Sequence, residues 1–270
     1  MTATTTNANA QDHLPAPPAT APPAAPPVPP AAPGPPATAS RRTGSGLPTA
    51  RLHPLLRRLT GDEKHEASAH STLDVLWVLY DRVLRVSPDT VDDPERDRFL
   101  LSKGHGSAGY YAVLAAKGFV PEEWLDDMAG ADSRLGHHPD RLLIPGVEIG
   151  SGSLGHGLGL GVGTALGLRA QGLLDPRVYV LVGDAELDEG SNHEAIAYAG
   201  ATGLANLTAI VLDNQSATHG WPGGIASRFT VNGWSASTVD GRDHDAIHTA
   251  LRAHRPDRPH VVVAVVEPKE

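Results

Sequence analysis

An aspartate and an asparagine thirty residues apart, Asp184 and Asn214, each stand at the end of an apolar run. The first run is Val178-Tyr-Val-Leu-Val182, continued by Gly183-Asp184; the second is Leu207-Thr-Ala-Ile-Val-Leu212, continued by Asp213-Asn214. Both runs read as buried strands, and a helical stretch from Asn192 to Thr202 lies between them, which makes a βαβ unit. Strands of such a unit are parallel, so their carboxyl ends share one sheet edge, where open α/β sheets bind ligands. A carboxylate and an amide oxygen brought together there, with a backbone carbonyl at Ser216, are hard ligands suited to Mg²⁺ or Ca²⁺ carrying a phosphate. Gly183 would let the backbone approach such a ligand closely. Taken alone, the two dipeptides fit a helix cap and a turn just as well.

The elements that must position this pair follow from the pattern around it. Ser235 to Val239, Asp243 to Ala253 and His260 to Val266 repeat the strand, helix, strand order. Continuous β-branched strands alternating with helices indicate an α/β fold with a parallel sheet covered on both faces. Upstream, Ser71 to Val86 has helical apolar spacing. Arg98-Phe-Leu-Leu-Ser102 reads as a short strand, Tyr110 to Lys117 as a helix closed by Gly118, and Pro121 as a helix start. Ile149 to Leu168 is almost uncharged over the span of a membrane helix, but its many glycines and His156 make it a binding loop that enters a helix.

The first 45 of the 270 residues are mostly Pro, Ala, Thr and Ser. Such a stretch buries too little apolar surface to offset its ordering entropy, so residues 1–45 are expected to form a disordered arm and residues 46–270 one domain. The formal net charge is −9 with charges scattered, which excludes the basic stripe of a nucleic-acid binder. The absence of cysteine excludes disulfides and thiolate metal sites. No basic segment followed by an apolar core opens the chain, so a soluble cytoplasmic location is expected.

Four further segments follow in a fixed order: Leu101-Ser-Lys-Gly-His-Gly106, Gly136-His-His-Pro-Asp140, Pro145-Gly-Val-Glu-Ile-Gly-Ser-Gly-Ser-Leu-Gly-His-Gly157 and Val239-Asp-Gly-Arg-Asp-His-Asp245. With Gly183-Asp184-Ala185-Glu186 and Asn214, which resemble the thiamine diphosphate motif, they are similar to the transketolase family over roughly residues 60 to 266. The resemblance implies a diphosphate-binding domain that holds thiamine diphosphate through Mg²⁺ (or Ca²⁺) at Asp184, Asn214 and Ser216. It implies cofactor contacts from His105, Gly152, Ser153, Leu154, Gly183, Ala185 and Glu186. It further implies that His105 lies near the diphosphate and substrate, that His138 meets donor-sugar hydroxyls, and that Glu189 lies near a subunit interface. His65, with His70 as the alternative, falls where the family has a substrate-binding histidine.

This sequence departs from the family pattern at several points. Ala185 replaces the last glycine of Gly-Asp-Gly, His156 replaces a glutamine, Glu66-Ala-Ser-Ala69 replaces a glycine-rich run, and Thr218-His219-Gly220 replaces Ile-Asp-Gly. A methyl at position 185 is tolerated only where φ is negative. His137 is an additional neighbour with no assigned role. The family's pyrimidine-binding half has no counterpart in these residues, so a separate C-terminal subunit is the expected partner, with two copies of each chain in a heterotetramer. The activity implied is transfer of a two-carbon ketol unit from a ketose phosphate to an aldose or other acceptor. A thiamine-dependent component acting on a 2-oxo acid, transfer to a carrier protein, and a non-catalytic scaffold are the alternatives.

Overall fold

A computed structural model of the chain describes residues 51–59 and 66–268. The arm expected over residues 1–45 and the candidate His65 lie outside them. Seven α-helices and five strands are described: α1 (Leu52–Arg58), α2 (Glu66–Val78), β1 (Arg98–Leu101), α3 (Ser107–Ala116), α4 (Gly157–Ala170), β2 (Val178–Gly183), α5 (Gly190–Ala201), β3 (Leu207–Asp213), α6 (Gly224–Thr230), β4 (Ser235–Asp240), α7 (His244–Leu251) and β5 (His260–Val265). The strands form one sheet in the order β1-β2-β3-β5-β4, and every neighbouring pair is parallel.

The unbroken apolar character of the central strands is explained by what lies above and below them. Successive strand residues face opposite sides of a sheet. Tyr179 and Leu181 of β2 pack into a core with Leu52, Leu76, Tyr110 and Ile247 from α1, α2, α3 and α7. Val178, Val180 and Val182 pack into a second core with Leu158, Ile196 and Phe229 from α4, α5 and α6. Each fully buried Val or Leu contributes about 1.5–3 kcal/mol relative to exposure, so both parities of the strand favour apolar side chains. The expected α/β fold with both faces covered is the one observed.

Local signals set most boundaries. Asp243 caps α7 by accepting from the amides of Asp245 and Ala246, both at 3.0 Å. Gly118, at φ +78°, closes the turn after α3 as a left-handed residue should. The helix expected over Ser71 to Val86 starts earlier, at Glu66, and its last turn widens into a π turn over Leu79–Val83. The start expected at Pro121 yields only a 3₁₀ turn, Glu122–Asp127. Two short helices, α1 and α6, have no clear sequence signal. Seven residues cannot sustain a helix in water, and each is held instead by its buried residues, Leu52, Leu55 and Leu56 in α1 and Phe229 in α6. The uncharged stretch from residue 149 to 168 is a loop that enters α4, and no described helix is long and apolar enough to cross a membrane.

Candidate functional site

The carboxyl ends of β1, β2 and β3 converge on a cleft of about 280 Å³. A buried carboxylate fixes its floor. Glu186 accepts the hydroxyl of Ser102 at 2.7 Å and the amides of Gly155 at 3.1 Å and Gly183 at 2.8 Å. Ser102 in turn accepts the amide of Gly157 at 3.1 Å. One side chain thereby ties the end of β1, the end of β2 and the entry to α4. Burial raises the Glu186 pKa above the ordinary carboxylate value, although its three donors and the Lys103 ammonium oppose the rise.

Asp184, on the turn after β2, is 2% exposed. Its carboxylate accepts the Ser216 amide and hydroxyl, both at 2.6 Å, and the Ala217 amide at 3.1 Å. Asp188 accepts the next two amides, of Thr218 at 3.0 Å and His219 at 3.2 Å. Two aspartates on the turn after β2 therefore hold the loop after β3. At the start of that loop Gln215 adopts φ +57°, a conformation that a non-glycine residue keeps only under constraint. The consequence falls on Asn214, which lines the cleft and is 3% exposed. Its amide oxygen is buried and accepts no hydrogen bond from any described residue. Such an acceptor costs roughly 1–3 kcal/mol unless something else satisfies it. Ala185 is not among the positive-φ residues, so its methyl is accommodated without strain.

Imidazoles line the opposite wall. The rings of His105 and His138 stack with centroids 6.1 Å apart and 20° between planes. Gly152 makes room for them, at φ +120°, where a Cβ would stand 2.8 Å from His138. Gly104 is equally constrained, since its Cβ would meet the His138 Nδ1 at 2.8 Å. The loop carrying His138 is anchored by the Ser107 hydroxyl on the His137 carbonyl at 2.7 Å and the Tyr111 hydroxyl on the Gly136 carbonyl at 2.9 Å. Lys103 lines the cleft, 8% exposed, and donates to Ser71 at 3.1 Å.

Of the residues singled out by sequence, His105, His138, Gly152, Leu154, Gly183, Ala185, Glu186, Asn214 and Ser216 meet in this cleft. Ser153 and Asp184 are not among its lining residues. Glu186 lines it, but its carboxylate serves internal donors. Glu189 is exposed at the start of α5, and His70 on α2 lies outside the cleft with its ring 6.1 Å from that of His53. The amides of Gly155 and Gly157 at the entry to α4 are already engaged by Glu186 and Ser102, so an anion would be left the amides of the exposed residues 152–154. Sequence reasoning assigns no role to Ser102 or Lys103. Both stand within the Leu101 to Gly106 segment, and only the fold shows that one is a strut and the other a cleft cation.

The oxygen pair suits a hard divalent cation. No cluster of three or more His, Cys, Asp or Glu able to hold a metal occurs among the described residues; the protein ligands there would be the orphaned Asn214 oxygen, a backbone carbonyl and Asp184, which would have to bind the cation beyond the hydrogen bonds it accepts from Ser216 and Ala217. A phosphate-bearing ligand would supply the remaining oxygens, with Lys103 offsetting its charge.

Comparison with known proteins identifies the family. The family described as "Transketolase, thiamine diphosphate binding domain" matches residues 60–266. A protein of Rhodococcoides fascians named "Ferredoxin fas2" is 57% identical over 80% of this chain and 71% of its own length. This chain has no cysteine and hence no thiolate to hold an iron–sulfur cluster. One of the subunits of apulose-4-phosphate transketolase from Actinobacillus succinogenes is 38% identical over 74% of this chain and 75% of its own length. Among solved structures, a transketolase variant from Pichia stipitis superposes with TM-score 0.69 at 26% identity, covering 80% of this chain. The chain spans 35% of that protein's length.

Proposed function

The chain belongs to the transketolase family, and on that premise we propose that it is the diphosphate-holding member of a two-chain enzyme dependent on thiamine diphosphate and Mg²⁺. The reaction is transfer of a two-carbon ketol unit from a ketose phosphate to an aldose acceptor. The observation that carries the reading is the buried, unsatisfied oxygen of Asn214 in a cleft that also presents a buried lysine and two stacked histidines.

Each group then has a task. Asp184 and the Asn214 oxygen hold Mg²⁺, with Ser216 completing the donor set through its carbonyl. Lys103 and the amides of residues 152–154 offset diphosphate charge. Thiamine diphosphate, when bound, would supply the nucleophilic thiazolium carbon and the electron sink that making and breaking a C–C bond next to a carbonyl needs. His105 and His138 orient substrate hydroxyls and hold or receive their protons. Glu186 does no proton chemistry; it fixes the three loops that form the floor.

A pyrimidine-binding partner chain completes the site, and a heterotetramer in the cytoplasm is the arrangement proposed. Supporting it, Leu154 at the cleft is 56% exposed and Leu160 on α4 is 44% exposed. A Cβ at Gly159 or Gly163 would meet nothing within 4 Å, so this helix face accepts a close neighbour. Calorimetry of the chain mixed with its partner should show thiamine diphosphate binding that EDTA abolishes. Activity should appear with a ketose phosphate donor. Turnover with pyruvate alone, or no cofactor binding by the mixture, would refute the reading.

A further inference from the structure

A second cleft, of about 300 Å³, opens at the opposite edge of the sheet, where β1 and β2 begin. The six-residue β2 separates it from the cleft at the carboxyl edge by about 17 Å. Arg85, Arg177 and Arg252 line it together with His254, Asp97 and Asp175. The proposed cofactor site uses none of these residues.

The acidic partners do not balance the guanidinium groups. Asp97, 3% exposed, accepts the Arg85 side chain at 3.0 Å and also the backbone amides of Arg85 and Arg177, both at 2.9 Å. Its capacity is spent on Arg85 and on backbone. Asp175 gives Arg85 its carbonyl, at 2.7 Å, and its exposed carboxylate makes no hydrogen bond or ion pair among the described residues. The guanidinium of Arg177 has one long hydrogen bond, 3.4 Å to the Ala205 carbonyl. That of Arg252 has no hydrogen-bond or ion-pair partner among the described residues. The Nδ1 of His254 is buried with no hydrogen-bond partner among them. Burial first, then Arg177, His260 and Arg252, push the His254 pKa down to about 4, so the imidazole is neutral. A chain of net charge −9 thus gathers under-neutralised arginines around a neutral, unsatisfied imidazole.

We propose that this cleft binds a small phosphate monoester, with the phosphate held by Arg177 and Arg252 and hydrogen-bonded by His254. Planar guanidinium forks match phosphate oxygens in pairs, and an imidazole N–H supplies a third donor. An uncharged ligand would leave the arginines uncompensated, and a carboxylate would offer fewer oxygens to three donors. The site lies apart from the carboxyl-edge chemistry and is suited to a small effector.

The test is thermal denaturation of the full-length chain titrated with inorganic phosphate and with glycerol 3-phosphate at constant ionic strength, repeated for Arg252→Gln, His254→Asn and Asn214→Ala. Arg252 is exposed, so its substitution leaves the fold intact. Saturable stabilisation by both probes is expected, weakened about tenfold or more in Arg252→Gln and His254→Asn and unchanged in Asn214→Ala. Stabilisation by inorganic phosphate but not by the monoester would restrict the site to free phosphate and overturn the monoester assignment. No saturable response, a response that Arg252→Gln leaves intact, or one that Asn214→Ala removes would overturn the site itself. These outcomes are independent of whether the mixed chains bind thiamine diphosphate.

Discussion

The hydroxyl of Ser102 donates to Glu186 at 2.7 Å, joining the end of β1 to the turn after β2 through a contact that water does not reach. Ser102→Ala should therefore cost about 1–3 kcal/mol, because Glu186 and the Gly157 amide each lose a buried partner. Glu186→Gln should cost a similar amount, since one amide oxygen cannot serve donors that now divide between two carboxylate oxygens. The folded pKa of Glu186 is raised, so wild-type stability should fall as pH rises from the ordinary carboxylate value through the folded one. Glu186→Gln should lack that component. Urea denaturation between acidic and neutral pH would measure both effects.

Asn214 should show a separation between stability and binding. Its buried oxygen has no described donor, so Asn214→Ala should leave the melting temperature of the chain unchanged or slightly raised. The same substitution should weaken Mg²⁺-dependent thiamine diphosphate binding by about 100-fold, in line with loss of a metal contact. A fall in melting temperature accompanied by undiminished cofactor binding would remove Asn214 from the proposed donor set.

Gly152 should be intolerant of any side chain. At φ +120° an alanine is strained by about 1–3 kcal/mol, and its Cβ would stand 2.8 Å from the His138 ring. Gly152→Ala should lower stability by that amount and displace His138. Wild-type-like unfolding and wild-type-like KM in the reconstituted pair would contradict this geometry.

His254 should make the chain acid-sensitive. Its folded pKa of about 4 lies below the ordinary histidine value, so the unfolded chain binds the extra proton first. The stability it contributes is complete above about pH 6.5 and is lost as pH falls toward 4. The residue is only half-buried, so solvent screening reduces the loss to roughly 1–2 kcal/mol. His254→Asn should flatten this part of the stability profile, measured by urea denaturation at pH values of about 7.5 and about 4.5.

The strands, the paired oxygens at their ends and the family were legible in the sequence, because continuous β-branched runs have few other uses and Asp184 and Asn214 are fixed relative to those runs. Covalent order also set the Lys103-Gly-His-Gly106 and Gly152-Ser-Leu-Gly155 loops beside the same edge. What sequence could not rank was the task of each polar side chain, since Glu186 and Asp184 look alike in a motif. Tertiary packing separated them: Glu186 meets three internal donors, whereas Asp184 restrains the loop that leaves Asn214 unsatisfied. It left Glu189 and His70 outside the cleft and gathered Arg177, Arg252 and His254 from separate segments into a second cleft. Strand and helix periodicity is written in neighbouring residues, but the partner of a buried donor or charge lies tens of residues away, and only the folded chain determines which partner it meets.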